Sequence, residues 1–268
     1  SLHSSISEAL ASGDLTTLGT IIGNNPEALA AAIAAPVGVE KTPVYPVANF
    51  GSQMAPLYTI LALWVGSILM VVSLRSDVTD ATVADGLPEG DPLRATLTAK
   101  PVGLAAGYLG RYLIFGTIAL TQATLVGLGD LYFLKVQHAH PLQFMGTLWL
   151  TAVVFSFLLY TLIATFGNAG KALGVLLLVL QISGAGGAFP LAILPSFFSS
   201  ISPFLPATHA ITALRASIAG YAGHEYADAM WFLSSFILFA AFLGLALRPL
   251  LVRNNRRMVE KLESTKLL

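Results

Sequence analysis

Five stretches of this chain, residues 56–74, 112–134, 142–166, 172–194 and 230–252, are almost uninterruptedly apolar. Each is roughly 19 to 25 residues long, enough for a helix to cross a ~30 Å hydrocarbon layer, and a soluble domain of this size rarely carries so many. The pattern predicts an all-α integral membrane protein, a polytopic bundle of about five transmembrane helices within a membrane domain spanning residues 55–252. The intervals between the runs are polar or broken by Pro and Gly. They predict a loop over 75–111, a re-entrant or interfacial segment over 195–229 and a polar tail over 253–268.

Composition sharpens this picture. Hydrophobic residues make up 55% of the chain and charged ones 10%, against about 25% charged in ordinary soluble domains. Formal charge balances to zero and no basic stripe with interleaved aromatics exists, so nucleic acid is not an expected partner. Without cysteine there is no disulfide framework, thiolate metal site or cysteine nucleophile.

The cations then orient the threading, because cytoplasmic loops near span ends are enriched in Lys and Arg. A cytoplasmic tail holding Arg253, Arg256, Arg257, Lys261 and Lys266 places the loop 75–111 and Lys171 on the same side. Of the 14 Lys and Arg, only Lys41, Lys135 and Arg215 fall outside. Residues 1–54 are then expected to be the end of an extracellular region delivered by a transmembrane helix upstream, with the N-terminal part of the protein expected to be truncated here. Its text, SISEALASGDLTTLGTIIGNNPEALAAAIAAPV, reads as two short helices broken at Gly23, Asn24, Asn25 and Pro26, or as a disordered tail; KTPVYPVANFG then reads as an extended approach to the first span.

Within the loop 75–111 the second half, from Pro92, reads as a helix along the cytoplasmic face. Leu93, Leu97, Val102 and Leu104 would bury against the membrane there, and a cytoplasmic partner could push on such a helix. Asp130, in LVGLGDLYFL, is the one acidic residue in a predicted span. Intramembrane carboxylates are costly enough that a transport or gating role is one reading, and a hydrogen-bonded structural carboxylate near the helix end is the other.

The run SGAGGAFP, with Gly184, Gly186, Gly187 and Pro190, lies in the outer half of the fourth predicted span. Small residues let backbones approach and Pro190 removes a donor, so the run is either a break lining a cavity or a site of tight helix packing. Beyond it, Ile211, Leu214 and Ile218 fall at helical spacing from a start near Ala207, inside one or two short helices at the outer interface.

Other motifs lead to no chemistry. His138 and His140 lack further local ligands, and His224–Glu225 lacks the second histidine of a zinc-protease motif. GNAGKA at 167–172 lacks the first glycine and the Ser or Thr of a phosphate loop, so it reads as a tight turn with a snorkelling Lys171. No catalytic, cofactor-binding or metal residues are assigned, and an enzyme is the least supported class.

Several motifs, in order, carry a family resemblance: KTPVYPVANFGSQMAPLYTILALWVG, the GYLGR at 107–111, LGDLYFLKVQHAHP, FGNAGKALGVLLLVLQISGAGGAFP and LPSFFSSISPFLPATHAI. Together they resemble the C-terminal membrane region of the YhgE/Pip family, from about residue 40 to 253. The resemblance implies a multi-pass protein of the bacterial, mostly Gram-positive, cell membrane. It implies a first transmembrane helix, a large extracellular domain, and a terminal block of about five helices similar to ABC-2 type transporter permeases. It also implies a coupling segment against an ATPase, here Pro92, Leu97 and Arg111, and an export path bordered by the break at Gly184 to Pro190.

Two functions follow from the resemblance. One is export of an envelope or amphipathic substrate by a homodimer in the lipid bilayer with a separate ATPase, since this chain has no Walker motif. The other is a phage infection protein or type VII secretion-like scaffold, whose helices anchor an extracellular domain that a phage protein recognises. Five spans with a Gly-rich break exceed what an anchor requires, which favours export.

Overall fold

The computed structural model describes residues 45–74, 86–99 and 104–247. The expected helices within 1–54 (except 45–54), part of the loop 75–111 and the tail 253–268 lie outside them. Among the described residues every regular element is helical.

The elements are α1 (Phe50–Ser73), α2 (Pro92–Ala99), α3 (Leu104–Leu128), α4 (Pro141–Phe166), α5 (Asn168–Gly184), α6 (Ser196–Ile201), α7 (Pro206–Ala219) and α8 (Glu225–Phe242). α3 and α8 each run on into a π-helical turn, Gly129–Phe133 and Leu243–Leu247. Among the described residues four helices are long and apolar enough to cross a membrane, and α5, at 17 residues, is a shorter apolar helix.

α4 is the hub, packing against α1, α3, α5, α7 and α8. Of its most apolar window 78% is buried, against 22% for α8. A buried helix must satisfy its polar side chains, and three α4 threonines do so on their own backbone: the hydroxyls of Thr147, Thr151 and Thr161 each donate to the carbonyl four residues back, at 2.8, 2.7 and 2.6 Å. α1 crosses it with Trp64 edge-on to Phe155, ring centres 4.7 Å apart, and the Trp64 Nε1 donates to the Gly174 carbonyl of α5.

The peripheral helices are polarised opposite to those of a soluble protein. α5 buries Gly170, Gly174, Gln181 and Gly184 and exposes Leu173, Val175, Leu176, Val179 and Ile182. α8 buries Ala229, Leu233 and Ala240 and exposes Trp231, Phe232, Leu238, Phe239 and Phe242. Small residues inside let backbones close, while large apolar residues outside meet a solvent as apolar as themselves. This is the signature of a bundle dissolved in lipid.

Three boundaries differ from the hydropathy reading. α1 starts at Phe50, because the Asn49 side chain accepts from the Ser52 N–H and caps the helix six residues before the apolar run at 56. α3 starts at Leu104 rather than 112, so Arg111 stands on the helix and not in the loop. The expected span 172–194 is corrected most: α5 runs from Asn168 only to Gly184, since Gly184, Gly186 and Gly187 are poor helix formers and Pro190 cannot extend the ladder. Gly167, at φ +58°, makes the tight turn from α4 into α5.

Candidate functional site

The end of α5 is where the bundle departs from plain helices. Residues 185–190 are irregular, Gly186 adopts φ +68°, and a 3₁₀ turn at Leu191–Ile193 and the short α6 lead into α7. At ~1.5 Å per residue α5 rises only about 26 Å, short of the ~30 Å that a straight helix spanning the hydrocarbon core would need. Buried carbonyls outside a helical ladder need partners.

They find one in Arg215 of α7, whose Nη1 and Nη2 donate to the carbonyls of Gly186 and Gly187 at 2.9 and 2.5 Å. Gly187 itself has no room for a side chain: a Cβ would stand 2.5 Å from Leu57 Cδ1 and 3.1 Å from Ile211 Cδ1. Gln181, on the last turn of α5, accepts from the Ala207 N–H at 3.1 Å and so caps α7 from a neighbouring helix. Its Nε2 is buried with no partner. Ile211, Leu214 and Ile218 all face inward, fixing α7 against α1 and α4.

Beside the break lies a cavity of about 470 Å³, lined among others by Ser52, Met54, Phe189, Pro190, Arg215 and Glu225. Gln137 holds the chain entering α1 in place: its backbone N–H donates to Ser52 Oγ at 3.0 Å, its Nε2 donates to the Pro46 carbonyl at 3.0 Å, and its Oε1 accepts from the Ala48 N–H at 2.6 Å. The same loop bonds to α7, with Ala139 and His140 N–H groups donating to the Ile218 and Ser217 carbonyls.

Asp130 lies in the π-turn that ends α3, 6% exposed, and accepts from the Thr59 hydroxyl of α1 at 2.7 Å. It lines a second cavity of about 470 Å³, and Ser52 and Met54 line both. The first turns of α1 thus stand between the Asp130 cavity and the Arg215 cavity.

The remaining candidates lie on α2 and the start of α3. α2 begins at Pro92, with Leu93 52% exposed; the Leu97 side chain lies outside the described residues, as do residues 100–103. Arg111 is in the second turn of α3, one turn from a tyrosine cluster between α3 and α4. There Tyr160 Oη donates to the Tyr108 carbonyl at 2.9 Å, Tyr108 and Thr161 hydroxyls share a 2.5 Å bond, and Tyr112 Oη donates to the Val153 carbonyl. The described residues therefore bring Gly184, Gly186, Gly187 and Pro190 to one place, Asp130 to an adjacent one, and the coupling candidates to neither.

Arg215, Gln137 and Gln181 were not singled out from sequence. Arg215 carried one usable signal, as a cation on the side where few occur; the two glutamines carried none.

Residues 2–248 match the family model described as ABC-2 family transporter protein. The chain is also similar to the uncharacterized protein YhgE of Bacillus subtilis (strain 168), 25% identical over 215 residues, which is 80% of this chain and 25% of that protein. It therefore spans about a quarter of the length of that relative. No solved structure matches.

Proposed function

The chain belongs to the ABC-2 transporter family, and from that premise we propose that it is the membrane component of an exporter for an envelope or amphipathic substrate, driven by a separate ATPase and working as a homodimer. In this reading the C-terminus and residues 75–111 are cytoplasmic and residues 1–54 extracellular. One observation carries it: the helix break held by Arg215 beside a cavity of mixed polarity. Irregular backbone at the edge of a bilayer core is costly and has no use in an anchor, whereas a path for an amphiphile needs both apolar and polar lining.

The segment from Pro92 to Arg111 would receive the push of the ATPase. The test is affinity purification of the full-length protein in mild detergent, with identification of co-purifying chains and an assay of ATP hydrolysis. A stoichiometric ATPase is expected, lost on Arg111→Glu while membrane insertion persists. A homodimer free of any ATPase would overturn the export reading in favour of a phage receptor or envelope scaffold.

A further inference from the structure

We propose that the cavity beside Arg215 is a binding site for a zwitterionic amphiphile, its phosphate or carboxylate on Arg215 and its ammonium facing Glu225. Arg215 and Glu225 line the same cavity. Among the described residues no ion pair joins them, and Arg215 gives its bonds to two backbone carbonyls. A guanidinium has five N–H donors in a fixed fork; two are used here, and three are left for an acid group. The carbonyls of Gly186 and Gly187 hold that fork in one orientation, so little side-chain freedom is lost on binding.

Opposite charges that share a cavity without meeting match a ligand carrying both signs better than one carrying either alone, because a purely anionic group would face Glu225 and a purely cationic one Arg215. The rest of the lining suits the other parts of such a molecule. Ser52 offers a hydroxyl, Tyr45 an aromatic ring of the kind ammonium groups favour, and Met54 and Phe189 an apolar wall. Phe189 is 61% exposed, leaving an apolar ring open to an acyl chain.

The site does not depend on the export reading: a protein that only anchors a receptor would show the same binding, and the purification above tests the two apart. The experiment is native mass spectrometry of the full-length protein in micelles doped with equal phosphatidylethanolamine and phosphatidylglycerol. Phosphatidylethanolamine adducts are expected to dominate by roughly two- to fivefold, the scale of one half-exposed ion pair. Glu225→Gln, at an exposed position, should erase the preference, and Arg215→Gln should weaken retention of both lipids. Soluble phosphoethanolamine at the lipid's concentration should not displace the adduct. Equal retention of both lipids by the natural protein, an unchanged preference in Glu225→Gln, or displacement by the soluble head group would each overturn the proposal.

Discussion

Gly170 is the sharpest test of how α5 is held. It is the third residue of α5, buried where the hairpin turns back on the last turns of α4, and a Cβ there would collide with the Leu162 carbonyl oxygen and stand 2.5 Å from its carbon and 2.8 Å from Ile163 N. These are backbone atoms of the most buried helix, so no rotamer change relieves them. Gly170→Ala therefore sets two effects against each other. Better helix propensity contributes about 0.8–1 kcal/mol; forcing the hairpin apart costs typically ~1–3 kcal/mol, near the top of that range when backbone is in the way. The net is a loss of about 2 kcal/mol, or a Tm lower by roughly 4–8 °C for a chain of this size. Gly110, on α3, is the control: nothing lies within 4 Å of its Cβ position, so Gly110→Ala keeps the propensity gain alone and should raise Tm by roughly 2–4 °C. Thermal unfolding of both variants in one detergent reads the two signs. If Gly170→Ala melts at or above the natural protein, the close approach of α4 and α5 is wrong.

Gly186, at φ +68°, should tolerate Asn better than Ala, with Ala costing about 1–2 kcal/mol; an Ala variant as stable as the natural protein in thermal unfolding would refute the left-handed turn. Thr59→Val removes the hydroxyl that Asp130 accepts from at 2.7 Å and should cost about 1.5–3 kcal/mol, while Thr59→Ser should cost under half of that; equal losses in denaturation would mean the bond contributes nothing. Gly244→Ala should push on the Tyr108 ring and hydroxyl, which it would meet, and break the Tyr108–Thr161 bond; in a double-mutant cycle with Tyr108→Phe the losses should be less than additive by at least about 0.5 kcal/mol.

The membrane bundle was legible in the sequence because lipid imposes one strong requirement, an apolar helix of sufficient length. The run 142–166 differs from α4, Pro141–Phe166, by one residue. Hydropathy failed where it could not weigh backbone: residues 188–194 are apolar enough to extend a span, yet the glycines before them and Pro190 end α5 at Gly184. It also missed helix starts carried by side-chain chemistry, such as the Asn49 cap. The site was less legible because its partners are far apart in the chain. Asp130 and Thr59 are 71 residues apart, Arg215 and Gly186 are 29 apart, and Gln137 bonds to Pro46 across 91. No local pattern announces such pairs, although a lone Arg in an apolar, Pro-punctuated segment is a reason to look for backbone carbonyls near it.

The distribution of polar groups differs along the bundle. Along the middle of the bundle many threonine hydroxyls are closed on their own helix, Thr147, Thr151 and Thr161 on α4 and Thr117, Thr121 and Thr124 on α3, beside the tyrosine bonds that join α3 to α4. The threonine bonds satisfy the side chain without tying one helix to another. At the Pro190 end several polar contacts cross between elements: Thr59 to Asp130, Gln181 to Ala207, Arg215 to Gly186 and Gly187, Gln137 to the approach of α1. α5 links the two regimes. Its first turn is locked to α4 at Gly170, its middle is bonded to α1 through Trp64 and Gly174, and its last turn caps α7 through Gln181. A displacement of the α4–α5 hairpin would therefore reach α7 and the Arg215 cavity through one rigid helix rather than through a chain of loops. Under the export proposal, that makes the break after α5 the place where such a displacement would be felt.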